Sequence, residues 1–262
     1  MATTRKRKLP VVLTIAGYDP SSGAGVTADI KTIAAHGCYG VSCVTALTVQ
    51  STRGVRRVEA VSGKVITETL AELARDLEIA AVKIGMLGSA EAARAVAQFL
   101  RRSKPKHMVL DPIVKSSSGA DLISRQGLTI LKRELMAAAT VVTPNIDEAA
   151  ALTGVRISST EDMASAATRL HELGAKAVVI TGGHLDSPVD LVSMRAGRSI
   201  LLRGRKIHTR STHGTGCAFS TALACNLARG KTLESAARAA KRFVEAALRK
   251  APGIGKGRGP IL

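Results

Sequence analysis

Apolar residues come in short runs that alternate with amphipathic stretches. Val11 to Ala16 is one such run, ending at Gly17, and it reads as a buried strand. Gly25 to Gly37 then has helical spacing, with Val26, Ile30, Ile33 and Ala34 on one face. The pattern repeats, predicting strands at 42–48, 81–84, 108–110, 141–143 and 177–181 and helices at 65–77, 90–100, 124–137 and 162–173. Leu191 to Leu202 reads as a hairpin turning at Ala196 and Gly197, and helices at 215–227 and 233–250 close the chain. Such repetition builds parallel strands joined by right-handed crossovers, with helices on both faces of one sheet. A ligand then belongs beyond the carboxyl ends of the strands.

Composition agrees with that α/β reading. The 262 residues suit one domain over 11–262 behind a basic extension at 1–10, and 45% hydrophobic residues with 24 glycines fit aliphatic packing around tight turns. Cys38, Cys43, Cys217 and Cys225 form neither a CxxC pair nor a zinc spacing, so reduced thiols in the cytoplasm are expected. Val11 to Gly17 is too short for a leader's apolar region, and no stretch of about 18 apolar residues predicts a membrane span. The net charge of +18 would attract polyanions. With two Tyr, three Phe and no Trp, however, platforms for stacking single strands are scarce, so nucleic acid is not the expected partner.

The strand ends carry the candidate chemistry. "GYDPSSGAG", Gly17 to Gly25, lets backbone approach a ligand closely, or is a plain turn. Gln50, just past the second strand, offers donor and acceptor in one plane to a nitrogen heterocycle, or is an exposed strand end. Met86 is core filler or a flexible ring wall. Asn145 and Glu148 share a helix start, where they either orient water around a hard cation or form a capping box. In "STHGTGC" the amides of Gly214, Thr215, Gly216 and Cys217 converge at a helix N-terminus, an anion hole suited to a phosphoryl group. There Cys217 is expected to have a lowered pKa, unless it is simply a small buried residue.

Together, "TIAGYDPSSGAG", "ADIKT", "ALTVQST", "KIGML", "LDP", "TPN..EA", "GGH" and "STHGTGC", in this order over nearly the whole chain, resemble the hydroxymethylpyrimidine and phosphomethylpyrimidine kinases of thiamine biosynthesis. The resemblance implies a ribokinase-like three-layer sandwich. It further implies phosphorylation of 4-amino-5-hydroxymethyl-2-methylpyrimidine and of its monophosphate, with ATP and Mg2+ and in a homo-oligomer. By matching position, Gln50, Gly17, Asp29, Met86 and Val114 would bind substrate. Thr181, Gly183 and Thr212 would contact ATP, Asn145 and Glu148 would serve the metal, and Gly214 to Cys217 would hold the transferring phosphate.

Tyr18 stands where the family usually has a small hydroxyl residue, and Thr181 where many relatives carry lysine. "IVKSSSG" replaces the commoner "VMVAKSG", and Lys256 and Arg258 replace tail histidines. The alternatives are a pyridoxal kinase, which would share fold and motifs, and a pyrimidine sensor or nucleic-acid binder that has lost turnover. The basic stretch Lys241 to Lys250 is expected to be a solvated face.

Overall fold

A computed structural model describes residues 9–115, 119, 122–183 and 188–262. The basic cluster Arg5 to Lys8, the serines of "IVKSSSG" and His184 of "GGH" lie outside the described residues.

The chain builds a nine-stranded sheet in the order β3-β2-β1-β4-β5-β6-β7-β8-β9. The strands are β1 (Val11–Tyr18), β2 (Tyr39–Ser51), β3 (Gly54–Ala60), β4 (Ile79–Ile84), β5 (Met108–Leu110), β6 (Val141–Val142), β7 (Ala177–Ile180), β8 (Val189–Met194) and β9 (Ser199–Arg203). From β2 through β7 the neighbours are parallel, while β3, β8 and β9 are antiparallel additions at the two edges.

Strand alternation divides the core between two faces. Leu13, Ile15, Val82 and Ile84 face the layer containing α2 (Gly63–Asp76), α3 (Ala90–Ser103), α6 (Ile146–Thr153) and α7 (Thr160–Glu172). Val12, Ala81, Val109 and Val179 face α1 (Gly25–Ala35), α8 (Thr215–Ala228) and α9 (Leu233–Arg249). This is the three-layer arrangement expected from the strand and helix pattern. Alternation also settles an outlier: Lys83 shares the α1 and α8 side with Ala81, in the middle of the protein, and is fully buried.

Three details depart from the sequence reading. Strand β3 was not anticipated, because Arg56, Arg57 and Glu59 break up its apolar positions; its pairing extends β2 to Ser51, so Gln50 lies inside a strand rather than beyond one. The helix expected over 124–137 divides into α4 (Arg125–Ile130), a π-helical turn (Leu131–Leu135) and α5 (Met136–Ala138). Lys241 does not belong to a solvated face: its Nζ donates to Asp190 Oδ2 at 2.8 Å, and Asp190 Oδ1 accepts from Gly182 N at 3.1 Å.

Helix starts carry functional information. Ser62, Ser89, Ser124, Asn145, Ser159 and Thr232 cap α2, α3, α4, α6, α7 and α9 with their side chains. No side chain caps α1 or α8. First-turn amides have no partner inside their own helix, so these two helices leave donors for other groups.

Candidate active site

A cavity of about 760 Å³ opens where the parallel strands end. β1 contributes Tyr18, β2 contributes Thr48 and Gln50, and the segments after β4, β5, β6 and β7 bring Met86, Asp111, Thr143 and Thr181. The uncapped start of α8 completes the wall with Gly214, Thr215, Gly216 and Cys217. Of the other expected residues, Gly17, Val114, Asn145, Glu148 and Thr212 also line it.

The two glycine loops interlock. Gly214 has φ +85°, and a Cβ there would stand 1.8 Å from the carbonyl oxygen of Gly23, so neither its backbone conformation nor its space admits a side chain. Gly23 in turn meets His213: a Cβ on it would come 2.2 Å from the imidazole Cδ2. Asp19 ties the first loop together, accepting from Ser21 N (2.8 Å), Ser21 Oγ (2.7 Å) and Ala24 N (2.9 Å). His213 Nε2 lies 2.8 Å from Asp19 Oδ2 and 3.1 Å from the Gln50 amide. Burial works to raise the Asp19 pKa, but the hydrogen bonds from His213 and Ser21 outweigh it and hold the carboxyl below its ordinary range.

Asp29 requires a correction. It does not reach the cavity; it is fully buried behind it, where Oδ2 accepts from Thr14 Oγ1 (2.5 Å) and Lys83 Nζ (2.9 Å) and Oδ1 from Thr221 Oγ1 (2.7 Å). It is therefore a scaffold group joining β1, β4, α1 and α8 rather than a substrate contact. Burial opposes the charge on Lys83, yet the Asp29 carboxylate holds the amine above the usual lysine range. Lys83 also lies 3.9 Å from Asp111 Oδ2, which accepts from Ser220 Oγ at 3.0 Å.

The expected lowering of the Cys217 pKa is overturned as well. Burial pushes the thiol up to about 12; Lys83 opposes this, while the Asp111 and Asp29 carboxylates add to it. The thiol donates to Asp111, whose own pKa burial raises. A helix N-terminus favours thiolate, but here the helix start is dry and faces two carboxylates.

On the opposite wall, Asn145 Oδ1 accepts from Glu148 N at 2.8 Å, and Glu148 Oε2 accepts from Asn145 N at 2.9 Å. The capping box is thus present, in residues that also line the cavity. Burial, with Asp111 nearby, pushes Glu148 up to about 8. Among the described residues no group of three or more His, Cys, Asp or Glu could hold a metal ion by itself. Gly183 is exposed and is not part of the cavity wall. Tyr18 lines the cavity and is 38% exposed.

Sequence reasoning gave no role to Lys83, Asp111 or His213. One signal was available: Lys83 is the only charge in the strand IAAVKI, and a lysine there is rarely buried without a partner. Its partners stand 54 residues before it at Asp29 and 28 residues after it at Asp111, in the motifs "ADIKT" and "LDP", with nothing local to mark the pairing.

The chain is similar to known kinases over nearly its whole length. Residues 19–262 match the family described as phosphomethylpyrimidine kinase. The chain is 43% identical over 254 residues to a hydroxymethylpyrimidine/phosphomethylpyrimidine kinase of Haemophilus influenzae, covering 95% of this chain and 94% of that one. A phosphomethylpyrimidine kinase structure from Clostridium difficile 630 superposes with a TM-score of 0.81 at 35% identity, covering 91% and 99% of the two chains. A pyridoxal kinase from Staphylococcus aureus, in complex with AMP-PCP and pyridoxal, gives 0.87 at 31%, covering 97% and 93%.

Proposed function

This chain belongs to the phosphomethylpyrimidine kinase family, and we propose that it transfers a phosphoryl group from ATP to 4-amino-5-hydroxymethyl-2-methylpyrimidine and then to the resulting monophosphate, in thiamine biosynthesis. The kinase assignment is shared with its relatives; the substrate and the residue roles are our reading. The observation that carries it is the uncapped start of α8 in a cavity that also holds the planar amide of Gln50.

In this reading Gln50 pairs with the edge of the pyrimidine, and Met86 and Val114 flank the ring. The amides of Gly216 and Cys217 then donate to the phosphoryl oxygens in flight, at the positive end of the α8 dipole. Thr181 and Thr212, which lie along the same wall, contact the nucleotide in this reading.

Cys217 acts as a hydrogen-bond donor and not as a thiolate, since its pKa of about 12 keeps the proton on sulfur. For the second transfer the nucleophile is a phosphate oxygen that is already anionic and needs no base. For the first, the hydroxyl proton needs an acceptor, and in this reading it goes to the Asp111 carboxyl beside the thiol, one of the carboxyl groups that line the wall.

The acidic wall fits a hard divalent cation. Glu148 carries a carboxyl that burial forces toward neutrality, and a neighbouring cation would reverse that. Asn145 and Glu148 would hold Mg2+ through water, because the described residues offer no closed ligand cage. Once bound, the ion would neutralise charge on the phosphates.

The test follows ADP release and product mass with ATP, Mg2+ and, separately, the pyrimidine, its monophosphate and pyridoxal. Conversion of monophosphate to diphosphate is expected, with Gln50→Ala losing about a hundredfold in pyrimidine kcat/KM. A wild type that phosphorylates pyridoxal alone would sink the substrate assignment and favour the second reading, which rests on the similarity to pyridoxal kinase.

A further inference from the structure

We propose that His213 and Thr48 fix the orientation of the Gln50 amide, and thereby make the site select rings that carry an amino group beside a ring nitrogen. This rests on the pyrimidine reading above and assigns to two further residues the setting of its specificity.

The Gln50 side chain lies between two anchors. Its amide nitrogen is placed 3.1 Å from His213 Nε2 and its amide oxygen 3.1 Å from Thr48 Oγ1. Counting donors decides which end truly faces which anchor. The Thr48 hydroxyl donates to the carbonyl oxygen of Tyr18 at 2.9 Å; that is its only proton, so toward Gln50 it accepts. His213 Nε2 faces Asp19 Oδ2 at 2.8 Å. That carboxylate already accepts three hydrogen bonds from Ser21 and Ala24, so the proton of the pair sits on Nε2. With its one hydrogen turned to Asp19, Nε2 has no lone pair for the Gln50 NH2 to donate to, and it can only share that hydrogen with an oxygen on the Gln50 side.

A single assignment satisfies both anchors: the NH2 of Gln50 turns toward Thr48 and its oxygen toward His213. The two amide ends occupy nearly the same space, so the turn displaces no neighbour. Each end then keeps one group for the cavity, an N–H and an oxygen lone pair side by side. That edge complements a ring nitrogen flanked by an amino group, and a pyridine lacking the amino group leaves the oxygen unpaired.

Orientation matters beyond affinity. With the amide reversed, a matching ring has to turn over, which carries the substituent next to its amino group to the other side. A fixed amide thus points the hydroxymethyl group in one direction. The anchors themselves are rigid: the imidazole is boxed by Gly23, His213 N donates to Gly259 O at 3.0 Å, and Thr48 is buried.

The test is the ratio of kcat/KM for the aminopyrimidine alcohol to that for its analogue with hydrogen in place of the amino group. Measured within one protein, the ratio is insensitive to loss of folded enzyme. Wild type is expected to discriminate a hundredfold or more. His213→Ala and Thr48→Val should each cut this at least tenfold, through KM, while His213→Gln, which restores a donor, recovers part of it. Unchanged ratios in both variants overturn the proposal. Should wild type phosphorylate neither ring, the substrate reading fails, and the anchoring is decided by NMR of the Gln50 side-chain NH2. Exchange protection lost in Thr48→Val and kept in His213→Ala supports the assignment; the reverse pattern overturns it.

Discussion

Asp29 and Glu148 are two carboxyl groups, one buried behind the cavity and one in its wall, and the fold treats them oppositely. Asp29 lies in the dry layer under α8, where one lysine and two threonine hydroxyls meet its oxygens. Glu148 stands in the cavity wall with a backbone amide from Asn145 on one oxygen, and burial, with Asp111 nearby, pushes it up to about 8. A carboxylate whose charge is met inside the protein holds elements together and has nothing left for a ligand. One left short of positive charge destabilises the empty protein and draws a cation or a proton.

The most severe way to break this comparison is Lys83→Met. Removing the cation strands Asp29 without its counter-charge and should cost about 3–5 kcal/mol, read as a lower urea midpoint. Adding Asp29→Leu should recover most of the loss, because the orphaned charge is the cause. A variant that unfolds no more easily than wild type would show that Asp29 is not held by Lys83. Thr221→Val probes the same side more gently. Loss of one hydroxyl donor to Asp29 should cost about 2 kcal/mol in the same assay, while KM for ATP stays near its wild-type value.

The smallest effect, and the sharpest, belongs to Glu148→Gln. The folded pKa of Glu148 is raised from 4.5 to about 8, so its contribution to stability is fully present below about pH 4.5 and is lost as pH rises through 8. Glutamine stays neutral, so the variant should be more stable than wild type at pH 8.5 and indistinguishable from it at pH 4. Turnover should fall even as stability rises. A thermal-melt difference independent of pH would remove the distinction between the two carboxyls.

Much of the architecture was legible because burial leaves a period in the sequence. Strands at 81–84 and 108–110 and a helix starting at 90 stand where the apolar pattern put them. Strand β3 was hidden, since an edge strand with exposed arginines buries too little to show its period. Within the site, Met86 and the Gly214 to Cys217 loop could be located because each follows a recognisable strand end or opens a helix, and Gln50 because it lies just past a recognisable apolar run. Asp29 was misassigned for the opposite reason: its position in a helix start is local, whereas Thr14, Lys83 and Thr221 reach it from 15, 54 and 192 residues away.

The sequence by itself determined the α/β layering, the end of the sheet where a ligand sits and the family of kinases to which the motifs point. Those properties follow from periodicity and from glycine and cap residues, which act over a few positions. Only the tertiary structure decided the protonation of the groups. It buried Cys217 beside Asp111 and so pushed up to about 12 a thiol whose pKa was expected to be lowered, and it put Lys83 beside Asp29 and His213 between Asp19 and Gln50. Charge and desolvation act through space, and the groups that set a pKa here come from strands and helices that only the folded sheet brings together.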